Sequence, residues 1–217
     1  MVQTSVFLGN EVYNKAIKLT FADEFIYGMK TNIGNAFVQG DLIAVDTVSY
    51  PEIPNGYIYI SKETEKYTKH TRIVTYTDSN GKTKTRTETY YSWDRIDFES
   101  KICNEVIFNT IKFNTSKFDF PHARYIKTIT KGNIRYNYSG ISTKHNGTIF
   151  ASLKDNTIVN VNNPKKAVPF YNSNLQETYD YLTSTGNVAL IIFWFFWIIF
   201  IVGALFFFYH FENRWLE

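Results

Sequence analysis

The chain has 217 residues, of which 18% are aromatic and 20% charged, and its formal net charge at pH 7 is +3. This length allows one domain of ordinary size in addition to a membrane anchor. This net charge is too small to indicate nucleic acid as a partner, and none is predicted. The single cysteine, Cys103, excludes an intramolecular disulfide framework and a cysteine-based zinc site.

The first 30 residues are predicted to form a helical segment. Residues 1–10 have neither a basic stretch nor a long apolar run, so they do not resemble a secretory signal. The side chain of Asn10 suits a helix N-cap, and an apolar face follows it from Glu11 into the twenties. We therefore expect a helix there, and a change of periodicity after the glycines that follow it.

Residues 31–160 are predicted to form a β-rich domain. Short runs rich in β-branched residues recur at a spacing of about ten residues, with turn-forming clusters between them. Such spacing is typical of a small antiparallel sandwich or barrel. The predicted fold is therefore mainly β, with a short N-terminal helix and one C-terminal transmembrane helix.

A hairpin between residues 71 and 93 is the clearest local feature of this domain. Asp78-Ser79-Asn80-Gly81 separates two threonine-rich alternating runs, and Asn and Gly tolerate the positive φ angles of tight hairpin turns. Neither face of the second strand is apolar near the tip, so the hairpin is predicted to project into water. One face carries Thr83, Thr85, Thr87 and Thr89, and the other carries Lys82, Lys84, Arg86 and Glu88.

Residues 161–187 are predicted to be a linker with a short helical turn, and residues 188–209 a transmembrane helix. The latter carry no charged residue and no proline. As a helix they would be roughly 33 Å long, close to a hydrocarbon core of about 30 Å, so the lipid bilayer is an expected partner. A short tail, residues 210–217, follows. The side chains expected to pack or to hold the anchor in the bilayer are Val188, Trp194, Trp197, Tyr209, Arg214 and Trp215.

The side of the membrane that carries the β domain is left open by two opposing arguments. Arg214 lies on the C-terminal side of the predicted span, whereas no Lys or Arg lies close to its N-terminal side, which favours an extracytoplasmic domain. An extracytoplasmic domain, however, requires an export signal or an earlier span, and the first residues contain neither. On that argument the chain is tail-anchored and its domain is cytoplasmic.

Few residues point to catalytic chemistry. The sequence contains no phosphate-binding loop, dinucleotide-binding motif, zinc-protease motif or serine-hydrolase motif, and no cofactor or metal site is predicted. Asp94, Asp97 and Glu99, with His122, form the candidate set for an enzymatic alternative, although a solvated loop is the simpler interpretation. Cys103 is expected to be a structural thiol.

The hairpin carries the clearest indication of binding. Its basic side chains outnumber its acidic ones, and a basic, threonine-lined projection suits anionic lipid head groups, a cell-wall polymer or an acidic partner. The competing interpretation is an edge hairpin whose lysines discourage pairing with other chains. The candidate binding residues are His70, Arg72, Lys82, Lys84 and Arg86.

Several stretches of the chain carry a resemblance to a protein family. They are VSYPEIPNGYIYI, EKYTKHTRIVTYTDSNGKTKTRTETYYSWD, IRYNYSG, GTIFASLKDNTI and FENRWLE. From about Asp23 to its end, the chain resembles uncharacterised membrane-anchored proteins of low-GC Gram-positive bacteria and of their phages and prophages. The resemblance implies a β-rich domain between two spans, without known catalytic residues. Since the first 22 residues hold no apolar span, either the start is lost or replaced, or this member uses one anchor.

Three functions follow as expectations. The first is a non-enzymatic, membrane-anchored β-domain protein with a binding or scaffold role for a membrane or envelope protein, and a phage or prophage origin fits the resemblance. The second is an enzyme acting on envelope or lipid substrates through the carboxylates between Asp94 and Glu99. The third is a structural subunit of a membrane complex. The first is preferred, because the anchor and the hairpin are evident and no catalytic motif is.

Overall fold

The computed structural model describes the backbone of residues 11–215 and the side chains of residues 11–184 and 191–209. The chain divides into two compact units. Unit 1 consists of the described residues up to Gly40, Lys117–Asp119 and those from Asn146 onward, and unit 2 consists of Asp41–Ser116 and Phe120–His145. Most of the chain forms strands, and a short N-terminal helix and a C-terminal apolar helix belong to unit 1. The predicted fold class is confirmed.

Fourteen strands lie within the described part of the chain. Besides a helical stretch at residues 11–14, the described part of the chain contains the helices α1 (Ala22–Thr31) and α2 (Leu175–Trp215) and a short 3-10 helix at Thr115–Lys117. In chain order the strands are β1 (Ile17–Leu19), β2 (Gly34–Ala44), β3 (Val48–Tyr50), β4 (Ile53–Tyr57), β5 (Tyr59–Thr77), β6 (Thr83–Ile102), β7 (Glu105–Phe108), β8 (Ile111–Asn114), β9 (Phe118–Asp119), β10 (Arg124–Lys131), β11 (Ile134–Ile141), β12 (Lys144–Lys154), β13 (Thr157–Val159) and β14 (Val168–Tyr171).

The N-terminal part of unit 1 differs from the predicted helix in its extent. Residues 11–14 are helical, but β1 follows them and pairs in parallel with β2, so that α1 begins only at Ala22. Ile17 and Leu19 gain ladder hydrogen bonds and a neighbouring strand in this way, an effect of tertiary structure that helical periodicity does not reveal. Asn10, the predicted cap, lies outside the described residues.

Unit 1 encloses an aromatic core. Its strands follow the order β2–β12–β14–β9, with β1 beside β2 and β13 beside β12. The ring centroids of Phe37 on β2 and Phe150 on β12 lie 4.7 Å apart, and Tyr179 of α2 meets Phe37 edge-on at 5.6 Å. Leu175 belongs to the same buried cluster. The first turns of α2 are therefore part of the core of unit 1.

Helix α2 begins with a capping box and continues to Trp215. Asn174 accepts a hydrogen bond from the backbone N–H of Glu177, whose carboxylate accepts one from the N–H of Asn174. Further along, Ile191–Tyr209 has a mean hydropathy of 2.8 and is fully exposed, and it is long and apolar enough to cross a membrane. The segment predicted as a linker contains β14, and the predicted helical turn is the start of α2.

Unit 2 is organised around a four-stranded antiparallel sheet in the order β10–β11–β5–β6. The β3–β4 hairpin packs on one side of its base, which we call the core face. The opposite side, which carries Glu65 and Tyr67, is called the open face because many of its side chains reach solvent. The buried cluster on the core face consists of Tyr50, Ile53, Ile60 and Tyr138.

The end of β2 with β7 and β8 completes unit 2. These strands form antiparallel pairs, β2 with β7 and β7 with β8. Asp46 lies between β2 and β3 and contacts the start of β7. Its carboxylate accepts hydrogen bonds from the backbone N–H groups of Asn104 and Glu105, both at 2.9 Å. These bonds lower the pKa of Asp46 and fix the point at which β7 begins.

Strands β5 and β6 continue well beyond the rest of the sheet. They pair with each other from Tyr59↔Ile102 to Thr77↔Thr83, whereas β11 pairs with β5 only as far as Lys66. Residues 67–77 and 83–93 therefore form a two-stranded arm, roughly 36 Å long at about 3.3 Å per residue. The projecting hairpin predicted from the sequence is confirmed.

A β-bulge at Ile96 separates the arm from the base of β6. Glu65 pairs with Arg95 and Thr64 with Asp97, so Ile96 has no partner on β5. Successive side chains alternate between the two sides of a sheet. Because of the extra residue, odd-numbered residues of β6 lie on the open face before the bulge, and even-numbered residues lie on it after the bulge. The side chains of β6 on the open face are consequently Tyr91, Trp93, Arg95, Phe98 and Ser100.

Gly147 of β12 occupies a position that leaves no room for a side chain. A Cβ there would lie 2.1 Å from the carbonyl oxygen of Tyr171 on β14 and 2.7 Å from the ring of Phe170. We expect Gly147→Ala to force the two strands apart and to lower the free energy of unfolding by about 1–3 kcal/mol. Gly203→Ala, at a site with open space within α2, should not lower it, because Ala favours a helix over Gly. Denaturant unfolding followed by circular dichroism tests this, and equal midpoints for both variants and the wild type would contradict it.

Candidate functional site

The arm collects most of the predicted binding residues on one face. His70 and Arg72 on β5 lie on the same side as Lys84 and Arg86 on β6. We call this side the charged face of the arm. The other side of β6 carries Thr83, Thr85, Thr87 and Thr89. Lys82 precedes β6 at the tip, and its side chain is exposed. The structure thus brings four of the five predicted residues onto one surface.

Three of these cations are paired with carboxylates of the arm itself. Arg72 and Arg86 lie 3.0 Å and 2.6 Å from the two carboxylate oxygens of Glu88, and Nζ of Lys84 lies 2.9 Å from Asp78. The hydrogen bond from Arg86, followed by that from Arg72, holds the pKa of Glu88 below its usual range. The charged face is therefore a pattern of ion pairs rather than a patch of free positive charge.

His70 links the arm to the base of the sheet through Asp94. Nε2 of His70 lies 2.6 Å from Oδ2 of Asp94, and Ser92 donates a hydrogen bond to Oδ1 at 2.7 Å. The bond from Ser92 is the main cause that lowers the pKa of the Asp94 carboxyl. The imidazole also stacks on the ring of Tyr90, with centroids 5.2 Å apart. His70 is therefore held by contacts on two sides.

Asp78 builds the turn at the tip of the arm. Its Oδ1 accepts hydrogen bonds from the backbone N–H groups of Asn80 at 3.0 Å and Lys82 at 2.9 Å. Gly81 has a φ of 73°, which a residue without a Cβ adopts at no steric cost. The hydrogen bond from Lys84 is the main cause that lowers the pKa of the Asp78 carboxyl. This is the local turn chemistry that the sequence predicts.

The residues of the enzymatic alternative lie along β6 and in the segment before β10. Asp94 is engaged by His70, whereas Asp97 and Glu99 lie beyond the bulge and are exposed. His122 is exposed between β9 and β10. Among the described residues, no group of three or more His, Cys, Asp or Glu side chains is arranged to hold a metal ion. Of the four candidates, only Asp94 takes part in the contacts described above for the charged face of the arm.

Cys103 is a buried residue, only 1% exposed. Its Sγ lies 3.3 Å from Oγ1 of Thr115, and burial raises the pKa of the thiol. A protonated thiol shielded from solvent is a poor nucleophile, which agrees with the structural role expected for this residue.

A polar network that the sequence did not predict crosses the open face. Arg135 of β11 donates two hydrogen bonds to the carboxylate of Glu65 on β5, and Asn137 donates a third. Asn137 accepts a hydrogen bond from Thr128 of β10 at 2.6 Å, and Thr128 accepts one from Tyr125 at 3.1 Å. Glu65 is 9% exposed, and the hydrogen bond from Arg135 is the main cause that lowers its pKa. The network fixes polar side chains on three adjacent strands.

Sequence reasoning missed this network because Glu65 and Arg135 lie 70 residues apart in the chain. A partial signal was present. Glu63 and Glu65 occupy alternate positions on β5, and Arg135 and Asn137 do so on β11, so each strand has a polar face. Only the pairing register brings the two polar faces together, and the register between distant strands is not evident from either segment.

An aromatic strip adjoins the network at the foot of the arm, and it consists of Tyr67, Tyr91 and Trp93. The ring centroids of Tyr67 and Tyr91 lie 5.4 Å apart with 17° between the planes, and Tyr67 lies 5.1 Å from Trp93. The guanidinium of Arg135 lies 4.6 Å from the centroid of the Trp93 ring, a cation–π contact. The strip and the network therefore form one continuous surface on the open face.

The predicted anchor residues fall into two groups. The first is exposed on the apolar stretch of α2, where Trp197 contacts the rings of Phe193 and Phe200 about one turn away. This group contains Trp194, Trp197 and Tyr209. The second group belongs to α2 by its backbone, but its side chains lie outside the described ones, and it contains Val188, Arg214 and Trp215.

Comparison with known proteins indicates no function for this chain. No family model matches the chain, and neither the curated proteins nor the solved structures give a match. The arm, the polar network and the aromatic strip are therefore the features from which a function is argued.

The Glu65–Arg135 pair should contribute strongly to the acid sensitivity of unit 2. Because the pKa of Glu65 is lowered in the folded state, its carboxylate stabilises the fold above the unfolded pKa of about 4.3. This contribution is lost as the pH falls through the lowered value. We expect Glu65→Gln to lower the free energy of unfolding at pH 7 by about 1–3 kcal/mol, and the difference from the wild type to shrink below about pH 4.

Glu63→Gln is the matched control for this measurement. Glu63 lies on the same strand and face, but its contact with Arg95 is 4.0 Å long and more exposed. We expect this variant to change the free energy of unfolding by less than about 0.5 kcal/mol. Denaturant titrations across the pH range provide the comparison. A Glu65 variant whose stability runs parallel to that of the wild type at every pH would contradict the assignment.

Proposed function

We propose that the chain is a single-pass, membrane-anchored protein without enzymatic activity, and that its arm binds a partner at the cell envelope. The observation that carries this proposal is the arm itself. Within the described residues, neither strand of the arm pairs with a third strand, and most of its side chains are exposed. Such an element contributes little to a core, and its shape suits contact with another molecule.

Helix α2 supports the membrane part of the proposal. Ile191–Tyr209 exposes apolar side chains on all sides, and each large one costs about 1.5–3 kcal/mol in water relative to burial. A bilayer would cover this stretch, while the helix satisfies its own backbone hydrogen bonds there. The same helix begins in the core of unit 1, so it would join the folded chain to the bilayer.

The construction of the arm supports a binding role. An isolated two-stranded ribbon is marginally stable in water. This one is reinforced by its ion pairs and by the contacts of Arg72 with Tyr90 and of Arg86 with Tyr76. Ile73 nevertheless remains 75% exposed on the opposite face. Ordered aromatic and arginine side chains beside exposed apolar ones are the chemistry of protein-binding surfaces.

The proposed partner is a membrane or envelope protein whose surface carries a complementary pattern of charge. Because Arg72, Lys84 and Arg86 already have carboxylate partners, a uniform polyanion gains less there than a surface of mixed charge. The resemblance to membrane-anchored proteins of low-GC Gram-positive bacteria and their phages supports the envelope setting and a phage or prophage origin. The position of Arg214 supports the extracytoplasmic side for the arm.

Side-specific thiol labelling tests the proposed topology. Ser79 is exposed at the tip of the arm, so Ser79→Cys in a Cys103→Ser background carries one accessible thiol. We expect a membrane-impermeant maleimide to label this variant in intact cells, and the Cys103→Ser background to remain unlabelled. Labelling only after lysis would contradict the extracytoplasmic side. Recovery of the chain in the soluble fraction would contradict the anchor.

Site-specific photo-crosslinking tests the binding role of the arm. We expect p-benzoylphenylalanine in place of Ile73 to capture a discrete partner in intact cells, because this side chain is exposed on the arm. The matched control places the same group at Tyr27, which is exposed on α1 of unit 1. Charge reversal by Glu88→Lys, which breaks both arginine pairs, should abolish the cross-link. Equal capture from Ile73 and Tyr27 would contradict the proposal.

A further inference from the structure

We infer that the open face at the foot of the arm binds a neutral oligosaccharide built of pyranose rings. The site consists of the aromatic strip and the polar network beside it, which meet at Trp93 and Arg135. This inference goes beyond the proposed function, because it assigns a separate ligand class to the surface on which the arm stands.

The aromatic strip is suited to stacking against sugar rings. Tyr67 and Tyr91 stack on each other, which covers the ring faces between them, while the rest of each ring stays accessible, since 45% and 54% of the two side chains reach solvent. The C–H groups on one side of a pyranose ring form an apolar surface that packs on aromatic rings. Tyr91 and Trp93 follow one another on β6, and Tyr67 lies across from Trp93 on β5, so the exposed parts of the three rings can contact consecutive sugar units.

The polar network supplies the hydrogen bonds that sugar hydroxyls require. Arg135 and Asn137 donate, and the hydroxyls of Thr128 and Tyr125 both donate and accept, while the buried carboxylate of Glu65 holds Arg135 and Asn137 in place. A guanidinium has five N–H donors, and Glu65 engages only two bonds from Arg135, so donors remain for a ligand. Because these side chains already hold one another in position, a ligand meets a preorganised surface at a low cost in ordering.

The charges of the site favour an uncharged ligand. On this part of the open face, Glu63 forms an ion pair with Arg95, and Glu65 forms one with Arg135. The charges within each pair therefore cancel. Lys69 adds one cation on the arm side of the strip. A polyanion would meet little net positive charge here, whereas a neutral chain rich in hydroxyl groups satisfies the rings and the network together.

Calorimetric titration of the full chain tests the inference. The protein is held in phosphatidylcholine nanodiscs, because glycosidic detergents would compete for the site. The probes are chitohexaose and cellohexaose, two neutral oligomers of β-linked pyranoses. We expect saturable binding of at least one of them with a Kd below about 1 mM. Tyr67→Ala and Tyr91→Ala should each weaken that binding about tenfold.

Tyr90→Ala is the matched control. Tyr90 is 45% exposed, as is Tyr67, and it lies in the same arm but on the charged face. Its removal should leave the affinity unchanged, and circular dichroism should show the same fold in all three variants. No binding of either hexasaccharide at about 1 mM, or an equal loss in Tyr90→Ala and Tyr67→Ala, would overturn the inference.

Two further outcomes separate this inference from the proposed function. Binding of oligothymidylate in place of the hexasaccharides, with loss in Tyr67→Ala, would overturn the sugar assignment in favour of single-stranded nucleic acid. A chain that labels at Ser79→Cys and cross-links at Ile73 as expected, but binds neither hexasaccharide, would overturn the ligand class and leave the proposed function standing.

Discussion

The hydrogen-bond ladder between β5 and β6 is the constraint on which the rest of unit 2 depends. Its first part belongs to the four-stranded sheet, and its second part stands alone as the arm. The division lies at the turn from β10 into β11, at residues 131–133, and Gly132 with a φ of 61° permits that reversal. The place of this one turn therefore decides where the sheet ends and where a free ribbon begins.

The two parts of the ladder are stabilised by different interactions. At the base, fully buried side chains such as Ile60 and Tyr138 supply hydrophobic stabilisation. In the arm, cross-strand ion pairs and ring contacts contribute roughly 0.2–1 kcal/mol each. The arm is thus stabilised by many weak surface contacts and not by a buried core, and both faces of the ribbon stay accessible. The hydrogen bonds of His70 and Ser92 to Asp94 connect the foot of the arm to the base of the sheet.

Features that depend on neighbouring residues were predictable from the sequence, and features that depend on distant register were not. Residues 78–81 predict the turn, and the alternation after it predicts the threonine side and the charged side of the hairpin. Counting outward from that turn also places Glu88 opposite Arg72, so the ion pair could have been derived. Strand β1 and the Glu65–Arg135 pair arise between segments that are separate in the chain, and periodicity carries no information on their alignment.

Because of the bulge at Ile96, the effect of deleting one residue from β6 depends on where the deletion lies. Loss of a residue within the arm would send every side chain beyond it to the opposite side, and Tyr91 and Trp93 would exchange places with their neighbours. Loss of Ile96 instead completes a regular ladder, because Arg95 and Asp97 already pair with consecutive residues of β5. Deletion of one residue at this point therefore keeps the two surfaces of the arm, whereas deletion within the arm exchanges them.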